Sequence, residues 1–149
     1  MVNALTVDVE DYFHVQAFAD VIMPDQWSRY PTRVENNTRR LLEMFGRRGI
    51  HATFFVLGWV AEHCPELIRE ISKAGHEIGC HGYSHQMIGR GDENDFRDDI
   101  RRAKSVIEQL IGGPVKCYRA PSYSVTAHTL WALDILRDAG FELDSSIFP

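Results

Sequence analysis

The side chains with the chemistry of a metal site are concentrated in one stretch. Gly75-His76-Glu77-Ile78-Gly79-Cys80-His81-Gly82-Tyr83-Ser84-His85 packs three histidines, a thiol and three glycines into eleven positions. A catalytic zinc site needs three protein ligands and one open position, and imidazole nitrogens and carboxylate oxygens both serve. His81 and His85 lie four residues apart where a predicted strand runs into a loop, so they offer half of such a site. The plainer alternative is a pair of surface or capping histidines. Carboxylates expected at the same end of the sheet favour the metal. His76 falls at the other end of the strand and reads as a helix-terminus histidine. Alternation turns Cys80 away from His81, which makes it a core thiol.

The carboxylates come from the start of the chain. Leu5 to Val9 alternates with period 2, placing Thr6, Asp8 and Glu10 on one side and the aliphatic residues on the other. Two acids on one face of an apolar strand are unfavourable unless a cation neutralises them. One can bind a metal while the other takes a proton from water, whose pKa a metal lowers towards about 7. Glu10 is the favoured ligand and Asp11, where the chain can bend, is its rival. Arg119 ends a later predicted strand. It is placed to pair with Asp8, orient it and keep it ionised; the alternative is an ordinary surface arginine. The Ser122 backbone N–H is then available to a developing oxyanion.

The elements that must position these groups alternate regularly. A loop rich in rings (Tyr12, Phe13, Trp27, Tyr30) follows the first strand and suggests stacking on a sugar. Spacing predicts a helix over 34–48, closed by Gly49. His51 to Leu57 is a near-continuous apolar run, suited to a strand buried on both faces. Pro65 fits the first turn of a helix ending at Gly75. Asp92 fits the N-cap of another that runs to Gly112. Val115 to Tyr118 reads as a strand, Thr126 as the cap of a helix ending at Gly140, and Phe141 as the start of a fifth strand. Strand, helix, Gly, strand implies an α/β fold with a parallel sheet and right-handed crossovers. Ligands in such folds, barrel or open sheet, sit at the C-terminal ends of the strands, where Asp8, Glu10, His81, His85 and Arg119 all fall.

The bulk properties agree with one domain of 149 residues, 44% hydrophobic and 25% charged. A net charge of −5, from 16 basic and 21 acidic residues, argues against a nucleic-acid protein. The odd, widely spaced Cys64, Cys80 and Cys117 predict free thiols in a reducing compartment. The N-terminus lacks the pattern of a signal peptide, and no run approaches the roughly 18 apolar residues of a membrane span. A cytoplasmic location is expected.

These residues together resemble the polysaccharide deacetylase family (the NodB-homology domain, carbohydrate esterase family 4). Thr6-Val7-Asp8-Val9-Glu10-Asp11 is similar to the first motif, in a form with one residue between the two acids. His81-Gly82-Tyr83-Ser84-His85 is similar to the second, and Arg119-Ala120-Pro121-Ser122-Tyr123 to the third. Ala52-Thr53-Phe54-Phe55-Val56 looks like the family's second strand. The resemblance spans nearly the whole chain with the motifs in order. The opening Asp-Val-Glu-Asp-Tyr-Phe-His most resembles the exopolysaccharide- and exosortase-associated branch.

The resemblance implies a distorted seven- or eight-stranded (β/α) barrel, a divalent metal, usually zinc, and hydrolysis of N-acetyl groups on amino sugars of a polysaccharide or oligosaccharide. Carried over by motif, Asp8 is the general base, Glu10, His81 and His85 hold the metal, and Arg119 positions Asp8. A related deacylase of a small amide or cyclic ureide, and a non-catalytic metal- or glycan-binding module, are the alternatives. Where the family's fourth motif has an Asp-Trp pair, this chain has Leu143-Asp144-Ser145-Ser146, and Asp144 receives no role. The fifth motif, with a general-acid histidine, is expected beyond residue 149, and His128 is a poor substitute. The chain is therefore expected to be the N-terminal part of a longer enzyme, inactive alone, with an exposed sheet edge that favours self-association.

Overall fold

A computed structural model describes residues 3–147. Five parallel strands form its centre: β1 (Thr6–Val9), β2 (Thr53–Val56), β3 (Glu77–Cys80), β4 (Cys117–Tyr118) and β5 (Leu143–Asp144). They lie side by side in chain order, β1-β2-β3-β4-β5, so each crossover advances the sheet in one direction. A doubly wound sheet would reverse; this order is that of a barrel wall. The strands are joined by α1 (Val34–Gly46), α2 (Gly58–His63), α3 (Pro65–Lys73), α4 (Glu93–Ile111) and α5 (Trp131–Asp138).

Register separates the two faces of the sheet. Val7, Phe54 and Ile78 align across β1–β3, as do Val9, Val56 and Cys80. This face packs on the helices: Phe54 meets Phe45 of α1, and Tyr118 meets Phe96 of α4. Asp8, Phe55 and Gly79 share the intervening row and face the other way. The apolar stripe of α4 (Phe96, Ile100, Ala103, Ile107) is buried against the sheet's helical side. Capping follows the sequence: Asp92 Oδ1 accepts from Asn94 and Asp95 N–H, and Pro65 occupies the first turn of α3.

Several boundaries differ from expectation. The predicted 34–48 helix stops at Gly46, and Ile50 N–H closes it on the Phe45 carbonyl across Gly49 at φ 62°. The short α2 was not anticipated. The last helix starts at Trp131 rather than after Thr126, because Thr126 and Thr129 bond each other in a preceding turn. β4 and β5 keep only two residues each. Cys64, Cys80 and Cys117 are free and buried, and no helix among the described residues is long and apolar enough to cross a membrane.

Candidate metal centre and its supports

Glu10, His81 and His85 converge just past the ends of β1 and β3. One ligand-type atom from each lies within 4.8 Å of the other two. Glu10 Oε2 is 2.8 Å from His85 Nε2 and 3.9 Å from His81 Nε2. Both histidines are buried, and Glu10 is part-buried. The close Glu10–His85 approach lacks hydrogen-bond alignment, and Oε2 accepts no hydrogen bond. Such an arrangement suits lone pairs aimed at a shared third partner. His81 Nδ1 is 2.7 Å from the Arg119 carbonyl. It therefore carries the proton, and Nε2 is left with a lone pair towards Glu10. Burial acts against the Glu10 charge, but His85, His81 and His14 outweigh it and hold the carboxyl below its usual range. Burial likewise pushes His81 below its usual value. Two imidazoles and a carboxylate are the donor set a zinc-like cation needs, so the residues fit the ion.

The loop that carries the histidines is held from both sides. The Asp99 carboxylate on α4 accepts from Tyr83 N–H (2.7 Å), Ser84 N–H (3.1 Å) and Ser84 Oγ–H (2.6 Å). Gly58 and Trp59 N–H, at the start of α2, donate to the Gly82 and Tyr83 carbonyls. Gly82 has φ 75°, and a Cβ there would sit 2.9 Å from Asp99 Oδ2. His85 itself adopts φ 52°, a left-handed conformation held by these contacts.

Beside the cluster, Arg119 Nη1 donates to Asp8 Oδ1 at 2.7 Å. Its Nε donates to the Ser145 carbonyl (3.3 Å) and Nη2 to Ser145 Oγ (2.8 Å). The guanidinium also lies 4.2 Å over the Phe55 ring. Phe55 fits because position 79 is glycine: a Cβ there would be 2.6 Å from the ring. Ser146 Oγ, buried, accepts from Ala120 N–H and donates to Asp144. Asp144 thus shapes the turn after β5. Ser122 and Tyr123 lie in the left-handed region, φ 54° and 50°.

The two acids proposed as ligand have different surroundings. Asp11 Oδ2 accepts from Arg33 and Val34 N–H at 2.7 and 3.0 Å, and Oδ1 from Tyr12 N–H, so it caps α1 and stands outside the cluster. Asp11 N–H donates to His14 Nδ1 at 2.8 Å. His14 is packed between Trp27 and Trp59, ring centroids 4.4 and 5.0 Å away, and burial pushes its pKa down to about 4. Two of the four rings expected to stack on a sugar turn inward, whereas Tyr12 and Tyr30 stay part-exposed. Phe13 and Trp27 are 1% and 3% exposed. Their apolar area is used inside the loop, around His14 and Trp59. His76 is remote in function: its Nδ1 accepts from Ala52 N–H at the opposite end of β3. His128 is exposed in the turn before α5.

Asp99, Ser145, Ser146, Phe55 and Gly79 were not singled out from sequence. Asp99 left one signal, a carboxylate three residues after Phe96 and one before Ile100 on the flank of a buried stripe. The others left none.

Comparison with known proteins gives a consistent answer. The polysaccharide deacetylase family profile matches residues 22–143, which include His81, His85 and Arg119 but not Asp8 or Glu10. The chain is 32% identical over 98 residues to a peptidoglycan-N-acetylglucosamine deacetylase of Bacillus cereus, covering 65% of this chain and 36% of that protein. It is 32% identical over 124 residues to a peptidoglycan deacetylase of Helicobacter pylori, covering 83% and 41%. Among solved structures, a Mycobacterium smegmatis chain assigned to the polysaccharide deacetylases superposes with a TM-score of 0.77 at 31% identity, covering 95% of this chain and 49% of that one. The chain spans less than half the length of each of these three proteins. The five-stranded arc matches part of their (β/α) fold, and this chain belongs to the polysaccharide deacetylase family.

Proposed function

We propose that this chain carries the catalytic face of a metal-dependent hydrolase that removes N-acetyl groups from the amino sugars of a bacterial polysaccharide. The observation that carries the reading is the convergence of Glu10, His81 and His85 next to the Asp8–Arg119 pair, at one end of the sheet. Glu10, His81 and His85 would hold the ion, for which this donor set favours zinc. When bound, it would supply Lewis acidity to the amide carbonyl and lower the pKa of water.

The protein's own groups have separate tasks. Arg119 engages one oxygen of Asp8 and leaves the other to accept a proton from the attacking water. Because Ser145 and Phe55 fix the guanidinium, Asp8 is held in one orientation. The exposed Ser122 lies in a left-handed turn, and its N–H is the donor assigned to the developing oxyanion in this reading.

Burial of Phe13 and Trp27 weakens one argument for a sugar over a small amide, leaving Tyr12 and Tyr30 to carry it, and a small-amide deacylase is the second reading. A substrate panel of N-acetylated oligosaccharides, small amides and cyclic ureides, assayed with the intact protein, separates the two. Acetate release from an N-acetylated glycan is the expected result. Hydrolysis confined to small amides overturns it, and glycan binding without turnover leaves only a binding module.

A further inference from the structure

A groove beside His85 is larger than acetyl removal requires. It encloses about 290 Å³ between the β1–α1 loop and the loop after β3. An acetyl methyl is about the size of one water, roughly 30 Å³. His85 and Ser84 line the groove, which sets it against one of the three candidate ligands. Trp27 and Phe13 also line it, yet at 3% and 1% exposure they offer no open ring face to a sugar. The more accessible apolar lining is Ala19, Ile22, Met23 and Pro24. Its remaining polar side chains are His14, Gln16, Gln86 and Arg90, and no carboxylate lines it among the described residues. The same short segment exposes Phe18 and Val21, at 41% and 70%. A pyranose calls for a flat aromatic face and partners of both hydrogen-bonding senses. Aliphatic walls without an acid suit methylene groups.

We propose that this groove is the acyl-side subsite of the same centre, and that it admits straight aliphatic N-acyl chains longer than acetyl. This rests on the deacylase reading given above. Water then cleaves the amide C–N bond, its hydroxyl going to the acyl carbon as a longer carboxylic acid and its hydrogen to the amine.

The test is calorimetric binding of acetate, butanoate and hexanoate to the intact, zinc-loaded protein, with bound zinc counted in the same sample. Affinity rises about fourfold per methylene if each is buried in the groove. Ala19→Trp, which fills the groove, is expected to flatten the series. In parallel, N-butanoyl and N-hexanoyl glucosamine oligomers are hydrolysed at least as efficiently as the N-acetyl form. Affinity that stays flat or falls with chain length, with zinc bound, overturns the acyl subsite and leaves the deacetylase reading standing. Absence of zinc from the loaded sample overturns both.

Discussion

Asp8 and Arg119, 111 positions apart in the chain, meet at 2.7 Å because β1 and β4 end at the same edge of one parallel sheet. Neither residue holds this geometry alone. Gly79 leaves room for the Phe55 ring, that ring lies under the guanidinium, and Ser145 takes two of its donors.

Removing the Asp8 carboxylate separates proton transfer from metal holding. Asp8→Asn is expected to lose activity while retaining its metal. Arg119→Lys keeps the charge but not the fork that serves Asp8 and Ser145 together. A loosened Asp8 is expected to lower kcat by about 100-fold with little change in KM. Steady-state kinetics together with metal analysis of both variants check this.

Gly79→Ala tests the packing beneath the arginine. Its Cβ would lie 2.6 Å from Phe55 Cδ1 and 3.2 Å from the Cys117 carbonyl. Overpacking of this kind destabilises by about 1–3 kcal/mol. Because the displaced ring supports Arg119, kcat is expected to fall further than in a variant equally destabilised on the helical side of the sheet. Urea denaturation paired with kinetics distinguishes the two effects.

Asp99 touches neither Glu10, His81 nor His85 in the contacts described, yet three of its bonds hold the loop between the histidines. Asp99→Ala leaves two backbone N–H groups and a hydroxyl without that acceptor. A stability loss of about 2–4 kcal/mol is expected. Metal affinity is expected to drop by at least about tenfold, in line with removal of supporting partners at metal sites. Titration with a competing chelator measures the affinity directly.

His14 makes stability depend on acid pH. It is neutral in the fold, with a pKa pushed down to about 4 by burial, against about 6.5 for an unfolded histidine. Between these values the unfolded chain binds more protons, so stability rises with pH in this window. The His14 contribution is complete above about pH 6.5 and is lost as pH falls towards 4, by at most about 3 kcal/mol. His14→Asn keeps an acceptor near Asp11 N–H but does not titrate. It is expected to show a shallower dependence of melting temperature on pH over this range.

Much of this arrangement was legible in the sequence where local rules decide. Period-2 alternation put Asp8 on one face and Val7 and Val9 on the other, and β1 has that register; Glu10 follows the strand's end. Glycines and caps marked most helix ends. Cys80 turned out to be a core thiol, with burial pushing its pKa up to about 12. What escaped depends on long-range packing. Asp99 acts on Tyr83 and Ser84, and Ser145 acts on Arg119, across 15 to 26 positions with no periodic signature. Two rings of the β1–α1 loop, Phe13 and Trp27, escaped for a related reason. Composition shows that a loop is aromatic, but only its fold around His14 shows that Phe13 and Trp27 face inward.

In the proposed site Glu10, not Asp11, joins His81 and His85 as a metal ligand. The direct measurement is metal content per chain, after zinc loading and gel filtration, for the wild type, Glu10→Ala, Asp11→Ala, His81→Ala and His85→Ala. One zinc is expected in the wild type and little or none in the Glu10, His81 and His85 variants. Asp11→Ala is expected to lose helix capping, with a lower melting temperature, and to keep its zinc. Zinc retained without Glu10 but lost without Asp11, or none in the wild type, would contradict the account.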